Sequence, residues 1–312
     1  MKTVKLSNII DFQFSFCKEM IDKNGEDSYF TALNEKYSIL SVFDGCGGLG
    51  AKEYANFGGK TGAYMASKIA GGATEDWFLN LTPNSINPTS YKKFIDNGFN
   101  IAEKFSDKGG LVFKGSMQKT FPTTISTAVA FLKNNVINVN FLWAGDSRGY
   151  VLDEDGLHQI TTDDIDGEDA MSNLSNDGVL KNVASLANDY EIHTRHIILK
   201  KPSVVFCATD GCFGYLSTPM EFEDMLLETL LLSESPNQWK QMLYDKIGLY
   251  AGDDYTMSLL AVGFNDFANL KNSMVRRKAY MYSEYMQNME NYTYEQKVEL
   301  WNRYKIGYEY RV

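Results

Sequence analysis

Carboxylates lie at the ends of several hydrophobic runs in this sequence of 312 residues. Four runs rich in β-branched and aromatic residues each adjoin an aspartate, namely Asp44, Asp146, Asp210 and Asp253. An acidic pair, Glu26-Asp27, precedes a fifth, shorter run. Any one of these residues, taken alone, fits a common turn. Because the strands of a sheet sandwich can bring their ends to one edge, the five elements together predict a cluster of carboxylates.

Such a cluster resists ionisation unless a cation compensates its charge. The candidate ligands are oxygens, because the four cysteines show no C-x-x-C pair and the chain has only three histidines. His193 and His196 would face opposite sides of a strand, which is poor for joint ligation. An all-oxygen site suits Mg²⁺ or Mn²⁺ better than Zn²⁺. Two such ions can deprotonate a water and stabilise an in-line displacement at phosphorus.

The sequence offers no obvious protein nucleophile. It contains no P-loop and no cysteine followed by the anion-binding loop of a cysteine phosphatase. Phosphoryl transfer depends mainly on positioning and charge neutralisation, so it does not require a covalent nucleophile. The residue types therefore favour metal-assisted hydrolysis of a phosphate ester.

The elements that must position these carboxylates form an α+β pattern. Strand-like runs cover 37–43, 124–132, 136–144, 148–152, 204–209 and 256–264. The polar link Lys133-Asn134-Asn135 predicts a hairpin between two of them. Helical spacing occurs over 50–69, 91–105 and 219–232. We therefore expect antiparallel sheet and helices packed in layers.

Two segments differ from this pattern. Residues 161–190 are acidic and polar without strong periodicity, which predicts an excursion from the core, a flap near a site. Residues 266–312 are rich in Tyr, Met, Asn, Lys and Glu and predict one or two helices. We therefore divide the chain into a catalytic domain, 1–265, and a helical C-terminal extension, 266–312. The extension either packs against the domain or offers Met and Tyr to a protein partner or a dimer contact.

Composition narrows the class of protein. The formal net charge of −10 argues against a nucleic-acid partner, because phosphate backbones are bound by an excess of Lys and Arg. No apolar run reaches the roughly 18 residues of a membrane span, and polar residues interrupt any signal-peptide core near the N-terminus. The cysteine pattern indicates neither a zinc site nor a disulfide framework. We expect a cytoplasmic protein.

Six short motifs, in this order, resemble the metal-dependent serine/threonine protein phosphatases of type 2C. They are Glu26-Asp27, Asp44-Gly45-Cys46-Gly47-Gly48, 124–128, Gly145-Asp146-Ser147-Arg148, Thr209-Asp210-Gly211 and Asp253-Asp254-Tyr255-Thr256. The resemblance covers roughly residues 20–264. It implies a central sandwich of two antiparallel β-sheets flanked by helices, with a metal site at one end.

The resemblance also implies the chemistry and its residues. Phosphoserine and phosphothreonine of a phosphorylated protein would be hydrolysed by direct attack of a water activated by two Mg²⁺ or Mn²⁺ ions, opposing a serine/threonine kinase. The implied metal ligands are Glu26, Asp27, Asp44, Gly45, Asp146, Asp210 and Asp253. Asp44 and Asp210 would be catalytic, with Asp44 bridging both ions and the Gly45 carbonyl binding one. Asp27 would act through water, and Asp146 would serve a weaker third ion.

Three positions depart from the family pattern. Cys46 replaces the His of the common D-G-H-G-G form, which removes a general acid. Asp22 stands where a phosphate-binding Arg is expected, and Gly214 stands where many members carry a further Asp. Lys23, beside Asp22, either supplies the missing cation or is a solvated surface lysine. Lys181 in the flap is the next candidate for phosphate binding.

Two other functions remain open from the sequence. A pseudophosphatase would use the same fold as a phosphoprotein-binding regulatory module, which the changes at Asp22 and Cys46 favour. The presence of Asp44, Asp210 and Asp253 favours an enzyme instead. A metal-dependent hydrolase of small phosphate esters is the second alternative, because substrate choice depends on flap and surface loops.

Overall fold

Two five-stranded antiparallel sheets form the centre of the molecule. The computed structural model describes residues 5–106, 119–167, 169–175, 179–186 and 190–309. The first sheet consists of β1 (Ile10–Lys18), β9 (Arg148–Asp153), β10 (Gly156–Gln159), β13 (Ser203–Ala208) and β14 (Tyr255–Val262). The second consists of β2 (Asp27–Leu33), β3 (Tyr37–Asp44), β7 (Ile125–Lys133), β8 (Val136–Ala144) and β12 (His193–Leu199). Their strand orders are β1-β14-β13-β9-β10 and β12-β8-β7-β3-β2.

Two small ribbons and seven α-helices complete the described part of the chain. The ribbons pair β4 (Glu53–Tyr54) with β5 (Lys60–Thr61) and β6 (Thr120–Thr123) with β11 (Ala184–Leu186). The helices are α1 (Gly62–Leu79), α2 (Pro88–Phe105), α3 (Ser172–Ser175), α4 (Pro219–Leu232), α5 (Pro236–Ile247), α6 (Phe267–Met281) and α7 (Tyr294–Tyr308). Among these described residues, no helix is both long and apolar enough to cross a membrane.

Three apolar cores lie between these layers. The middle core, which includes Val42, Phe141 and Val205, lies between the two sheets. A second core packs α1 and α2 on the outer face of the second sheet. The third packs α4 to α7 on the outer face of the first sheet. The predicted α+β class and the sandwich of two antiparallel sheets flanked by helices are thus confirmed.

Local sequence explains where several elements begin. A Thr, Asn or Ser followed by Pro precedes α4, α2 and α5, and each polar side chain accepts a backbone hydrogen bond from the first turn. In the hairpin between β7 and β8, Asn134 and Asn135 have φ of 56° and 60°. Asparagine tolerates this left-handed conformation, which matches the twist of the paired strands.

The helix predicted over 50–69 begins later than expected. Gly58 and Gly59, with φ of 71° and 76°, form the turn between β4 and β5. The helix α1 starts at Gly62, where Thr61 accepts a hydrogen bond from the Tyr64 backbone. The two left-handed glycines thus replace the first turns of the predicted helix by a hairpin.

The C-terminal extension is helical over its described part. The described part, 266–309, contains α6 and α7, joined through a π turn at Tyr282–Met286. Leu270, Met274, Trp301 and Tyr308 are each at most 2% exposed and belong to the core over the first sheet. The extension therefore packs over the first sheet, where α7 lies beside β10 and Phe267 of α6 contacts Phe12 of β1.

Candidate metal centre

Strand register brings the predicted carboxylates to one end of the sandwich. Asp27, the first residue of β2, pairs with Asp44, the last residue of β3. Ala208, the last residue of β13, pairs with Arg148 at the start of β9 and with Met257 near the start of β14. The residues just beyond these positions are Asp146, Asp210 and Asp253. Antiparallel pairing therefore gathers five chain segments at a single edge.

Asp44 lies at the centre of this group. Burial, followed by the charges of Asp210, Asp27, Asp146 and Asp253, raises the pKa of Asp44 well above its ordinary value. Burial also raises the pKa of Asp210, although a hydrogen bond with Asp44 opposes the rise. Carboxylates that raise one another's pKa favour a compensating cation.

Thr123 and Thr124 fix the backbone at Asp44. The Asp44 carbonyl accepts a hydrogen bond from Thr123 Oγ1 at 2.8 Å and from the Thr124 backbone at 2.8 Å. The Asp44 backbone N–H donates to Thr124 Oγ1 at 3.2 Å. Gly45 is buried, and a Cβ there would collide with the Ala63 carbonyl. The chain can therefore turn closely past α1 only with glycine after the aspartate.

Asp27 is the most deeply buried carboxylate of the centre, at 1% exposure. Thr209 Oγ1 donates to Asp27 Oδ2 at 2.8 Å and accepts from the Thr256 backbone at 2.9 Å. Burial raises the pKa of Asp27 well above its ordinary value, and the hydrogen bond from Thr209 opposes the rise. Thr209 thus fixes Asp27 between the ends of β2, β13 and β14.

Asp254 holds the segment that carries Glu26. Its Oδ1 accepts from the Met20 backbone at 2.7 Å, and its Oδ2 accepts from the Glu26 backbone at 2.6 Å. The Glu26 carboxylate accepts a hydrogen bond from Thr61 Oγ1 at the start of α1. Asp253, the adjacent residue, is exposed. Sequence reasoning missed Asp254 as a positioning residue, although its place beside Asp253 was visible.

The turn that carries Asp146 is held from both sides. Gly145 has φ of 98°, and a Cβ there would press on Thr124. Thr124 Oγ1 lies 2.7 Å from Ser147 Oγ. Arg148, 2% exposed, forms an ion pair of 2.7 Å with Asp163. Burial and the nearby charges of Asp210 and Asp163 raise the pKa of Asp146 to about 8.

Lys23 is exposed and has φ of 62°, a left-handed backbone conformation. Its carbonyl accepts a hydrogen bond from Lys60 Nζ. Lys68 Nζ donates to the Gly25 carbonyl at 3.1 Å and to the Asp27 carbonyl. Lys60 and Lys68 are therefore two further cations beside this segment. Nothing in the sequence indicated that Lys60 and Lys68 would contact this N-terminal segment.

Lys181, His193, His196 and Cys46 complete the set of candidate residues. Lys181 forms an exposed ion pair with Asp166 in the flap. His193 binds Asp164 at 2.9 Å and His196 binds Asn138 at 2.9 Å, so the two histidines do not share a ligand. Burial, followed by the charge of Asp44, raises the pKa of Cys46 well above its ordinary value.

The donor set fits hard divalent cations. Glu26, Asp44, Asp210, Asp253 and the Gly45 carbonyl offer only oxygen atoms, the ligands preferred by Mg²⁺ and Mn²⁺. Within the described ranges, no three His, Cys, Asp or Glu side chains are already arranged as one metal site. The fit thus rests on the chemistry and mutual proximity of the carboxylates.

Comparison with known proteins identifies the fold. No protein-family model matches the sequence, and no curated protein matches it. Among solved structures, the serine/threonine phosphatase PstP/Ppp of Mycobacterium tuberculosis matches with a TM-score of 0.56 at 16% identity, covering 81% of this chain and 99% of its own. The phosphatase Stp1 of Staphylococcus aureus matches with a TM-score of 0.57 at 16% identity, covering 84% and 98%.

A further match is the catalytic domain of PstP in complex with two manganese ions, with a TM-score of 0.52 at 16% identity, covering 81% of this chain and 99% of that one. These likenesses agree with the six motifs and with the observed sandwich. The chain therefore has the fold of the type 2C serine/threonine protein phosphatases.

Proposed function

We propose that this chain is a metal-dependent phosphatase that hydrolyses phosphoserine and phosphothreonine in proteins. The observation that carries the proposal is the convergence of Asp27, Asp44, Asp146, Asp210 and Asp253 at one end of the sandwich. Their mutual rise in pKa supports a compensating cation at this end of the sandwich. The manganese complex of the structurally similar PstP supports the choice of a divalent metal.

Each residue has a part in this proposal. Glu26, Asp44, Asp210, Asp253 and the Gly45 carbonyl would hold two Mg²⁺ or Mn²⁺ ions, with Asp27 behind them and Asp146 at a weaker third site. When bound, the ions supply a nucleophilic water at neutral pH and neutralise charge on the phosphate.

The chain itself orients this constellation. Thr209 fixes Asp27, and Thr123 and Thr124 fix the Asp44 backbone. Asp254 holds the Glu26 segment against the start of β14. Positioning of this kind is what phosphoryl transfer requires from a protein.

All four cysteines are free thiols, which supports a reducing compartment such as the cytoplasm.

The first test is loss of the central carboxylates. We expect Asp44→Asn and Asp210→Asn to reduce kcat by at least about a hundredfold while the protein stays folded, because each removes a charged metal ligand. The assay compares p-nitrophenyl phosphate with a phosphothreonine peptide across Mg²⁺ and Mn²⁺ concentrations. The matched control is Asp76→Asn, which changes an exposed aspartate on α1.

The outcomes separate the alternatives. Retention of more than about a tenth of wild-type kcat in Asp44→Asn would contradict the metal assignment. Tight phosphopeptide binding by the wild type without turnover would indicate a pseudophosphatase. Turnover of p-nitrophenyl phosphate but of no phosphopeptide would indicate a hydrolase of small esters.

Lys23 is our proposed ligand for the substrate phosphate. It lies three residues before Glu26 and beside Asp22, whose charge has the wrong sign for this task. We expect Lys23→Ala to raise KM for a phosphopeptide about tenfold, the weight of one charge-assisted hydrogen bond, with unchanged metal affinity. Asp22→Arg should lower KM, because arginine binds phosphate in a bidentate manner.

The control for this test is Lys36→Ala, at the opposite end of the β2–β3 hairpin. An unchanged KM in Lys23→Ala would show that Lys23 is a solvated surface residue. The same measurement on Lys60→Ala and Lys181→Ala would then locate the cation that contacts the phosphate.

A further inference from the structure

The last helix of the extension binds the flap directly. Trp301 of α7 is 2% exposed, and its Nε1–H donates to Asp169 Oδ2 at 2.7 Å. Lys305, one helical turn later, donates to the same oxygen at 3.2 Å. Asp169 belongs to the flap, 132 residues earlier in the sequence than Trp301. This carboxylate therefore joins two segments that the sequence keeps far apart.

Asp169 also organises the flap around itself. Its Oδ1 accepts hydrogen bonds from the backbone of Met171 at 3.2 Å and of Ser172 at 3.0 Å, where α3 begins. The next residue, Ala170, offers its carbonyl to Arg148 Nη2 at 3.1 Å. The hydrogen bond from Trp301 thus acts on the flap residue that directly precedes a contact with Arg148.

Arg148 connects the flap to the Asp146 turn. Its Nε and Nη2 donate to the two oxygens of Asp163 at 3.0 Å and 2.7 Å, and it lies two residues after Asp146. On the other side of the turn, Asp164 Oδ2 accepts from the Gly145 backbone at 2.9 Å. Flap residues therefore hold the turn at both ends. A shift of the flap would move the turn with it.

We propose that Trp301 is a positioning residue, which fixes the flap through Asp169 and thereby the turn that carries Asp146. The inference rests on the proposed function, since it assigns a role to the extension in shaping that same site. The hydrogen bond of Trp301 is to Asp169 and not to a carboxylate of the metal centre. Its effect passes through Asp169, Ala170 and Arg148.

The test replaces the indole by a ring that cannot donate. In Trp301→Phe we expect faster amide hydrogen exchange in residues 145–149, 163–167 and 169–174. We also expect KM for a phosphothreonine peptide to rise about tenfold, the weight of one hydrogen bond to a carboxylate, with a smaller change for p-nitrophenyl phosphate. Calorimetric titration with Mn²⁺ should show weaker binding of the ion assigned to Asp146.

The matched control is Tyr304→Phe, in the same helix. Tyr304 is buried and donates its hydroxyl to Glu223 of α4, away from the flap. We expect this variant to lower the melting temperature and to leave both KM and the amide exchange of residues 163–167 and 169–174 at wild-type values. Equal effects of Trp301→Phe and Tyr304→Phe on exchange and KM would overturn the proposal, because α7 would then act only through general stability.

A second variant, Asp169→Ala, removes the acceptor. If the two residues act through one contact, the effects of Trp301→Phe and Asp169→Ala on exchange and KM will not add in the double variant. Additive effects would overturn the proposal. If the wild type has no phosphatase activity, the proposed function fails, whereas hydrogen exchange and Mn²⁺ titration still decide whether Trp301 fixes the flap and the turn.

Discussion

At the scale of single residues, Thr209 connects three strand ends through one hydroxyl. It donates to the buried Asp27 and accepts from the Thr256 backbone. A buried carboxylate needs such a donor, because an unsatisfied charge in the interior is costly. Thr209 lies directly before Asp210, so the same strand end supplies both a proposed metal ligand and the support of another.

We expect Thr209→Val to lower the free energy of unfolding by about 1 to 3 kcal/mol, since it leaves the Asp27 oxygen and the Thr256 backbone without their partner. Phosphatase activity should fall as well, because Asp27 loses its orientation. The check is denaturant unfolding and kcat for both Thr209→Val and Thr209→Ser. Serine keeps the hydroxyl and should restore most of both quantities. A valine variant as stable as wild type would contradict the role of this hydrogen bond.

The carboxylates of the centre could be predicted from sequence because each adjoins a strand, and strand ends meet at sheet edges. Their supports could not be predicted in the same way. Thr209 is 182 residues from Asp27, and Asp254 is 228 residues from Glu26. Nothing local marks such pairs, since their contacts exist only after the two sheets have formed.

At the scale of elements, local signals decided which predictions succeeded. The helix predicted over 219–232 has those bounds, because Thr218 and Glu221 form a capping box and the helix carries a long apolar face. The strand β1 was missed, although Phe12, Phe14 and Phe16 alternate with polar residues. The strand β12 was missed too, because it is an edge strand of the second sheet and carries several polar residues.

The contact between α7 and β10 should depend on pH through His158. Its Nδ1 lies 2.6 Å from the Gly307 carbonyl and its Nε2 lies 3.4 Å from Asp153 Oδ1. Burial lowers the pKa of His158, but hydrogen bonds to Asp153 and Gly307, with the charges of Asp153 and Glu223, raise it above its ordinary 6.5. The pKa of Asp153 is lowered despite burial, by its hydrogen bonds with His158 and Asp155 and the charge of Lys201.

A histidine whose pKa is higher in the folded than in the unfolded protein stabilises the fold fully at pH values below its unfolded pKa. This stabilisation is lost as the pH rises through the folded pKa. The Asp153 contribution persists above the unfolded carboxyl pKa, so the pair is strongest between about pH 4 and 6.5. We expect His158→Asn to lower the melting temperature more at pH 5.5 than at pH 8.5. An equal decrease at both values would show that His158 is not charged in the folded protein.

At the scale of the whole molecule, one buried ion pair joins the extension to the rest. Arg277 of α6 binds Glu223 of α4 through two hydrogen bonds of 2.6 Å and 2.9 Å, and the Glu223 side chain is fully buried. Tyr304 of α7 donates to the same carboxylate. Glu223 therefore fixes both extension helices at one point, which makes the extension part of the core over the first sheet.

We expect Arg277→Met to destabilise the protein by about 3 to 5 kcal/mol, because Glu223 stays buried without its cation. Combining it with Glu223→Gln should recover much of the loss. The control is Lys278→Met, which breaks the partly exposed pair with Asp224 and should cost at most about 1 kcal/mol. Chemical denaturation of the four proteins measures these differences. An equal loss in the free energy of unfolding for Arg277→Met and Lys278→Met would contradict the importance assigned to the buried Glu223.

The position of β14 between β1 and β13 has a consequence for synthesis of the protein. Met20, just after β1, is 234 residues from Asp254, just before β14. At ordinary translation rates, β1 and the Glu26 segment leave the ribosome about 10 to 50 s before their partners exist. Until the segment that leads into β14 emerges, a nascent chain therefore lacks Asp253 and also Asp254, which accepts the hydrogen bond from the Glu26 backbone. The proposed activity would begin only after β14 had emerged, and a product terminated before β14 would remain inactive.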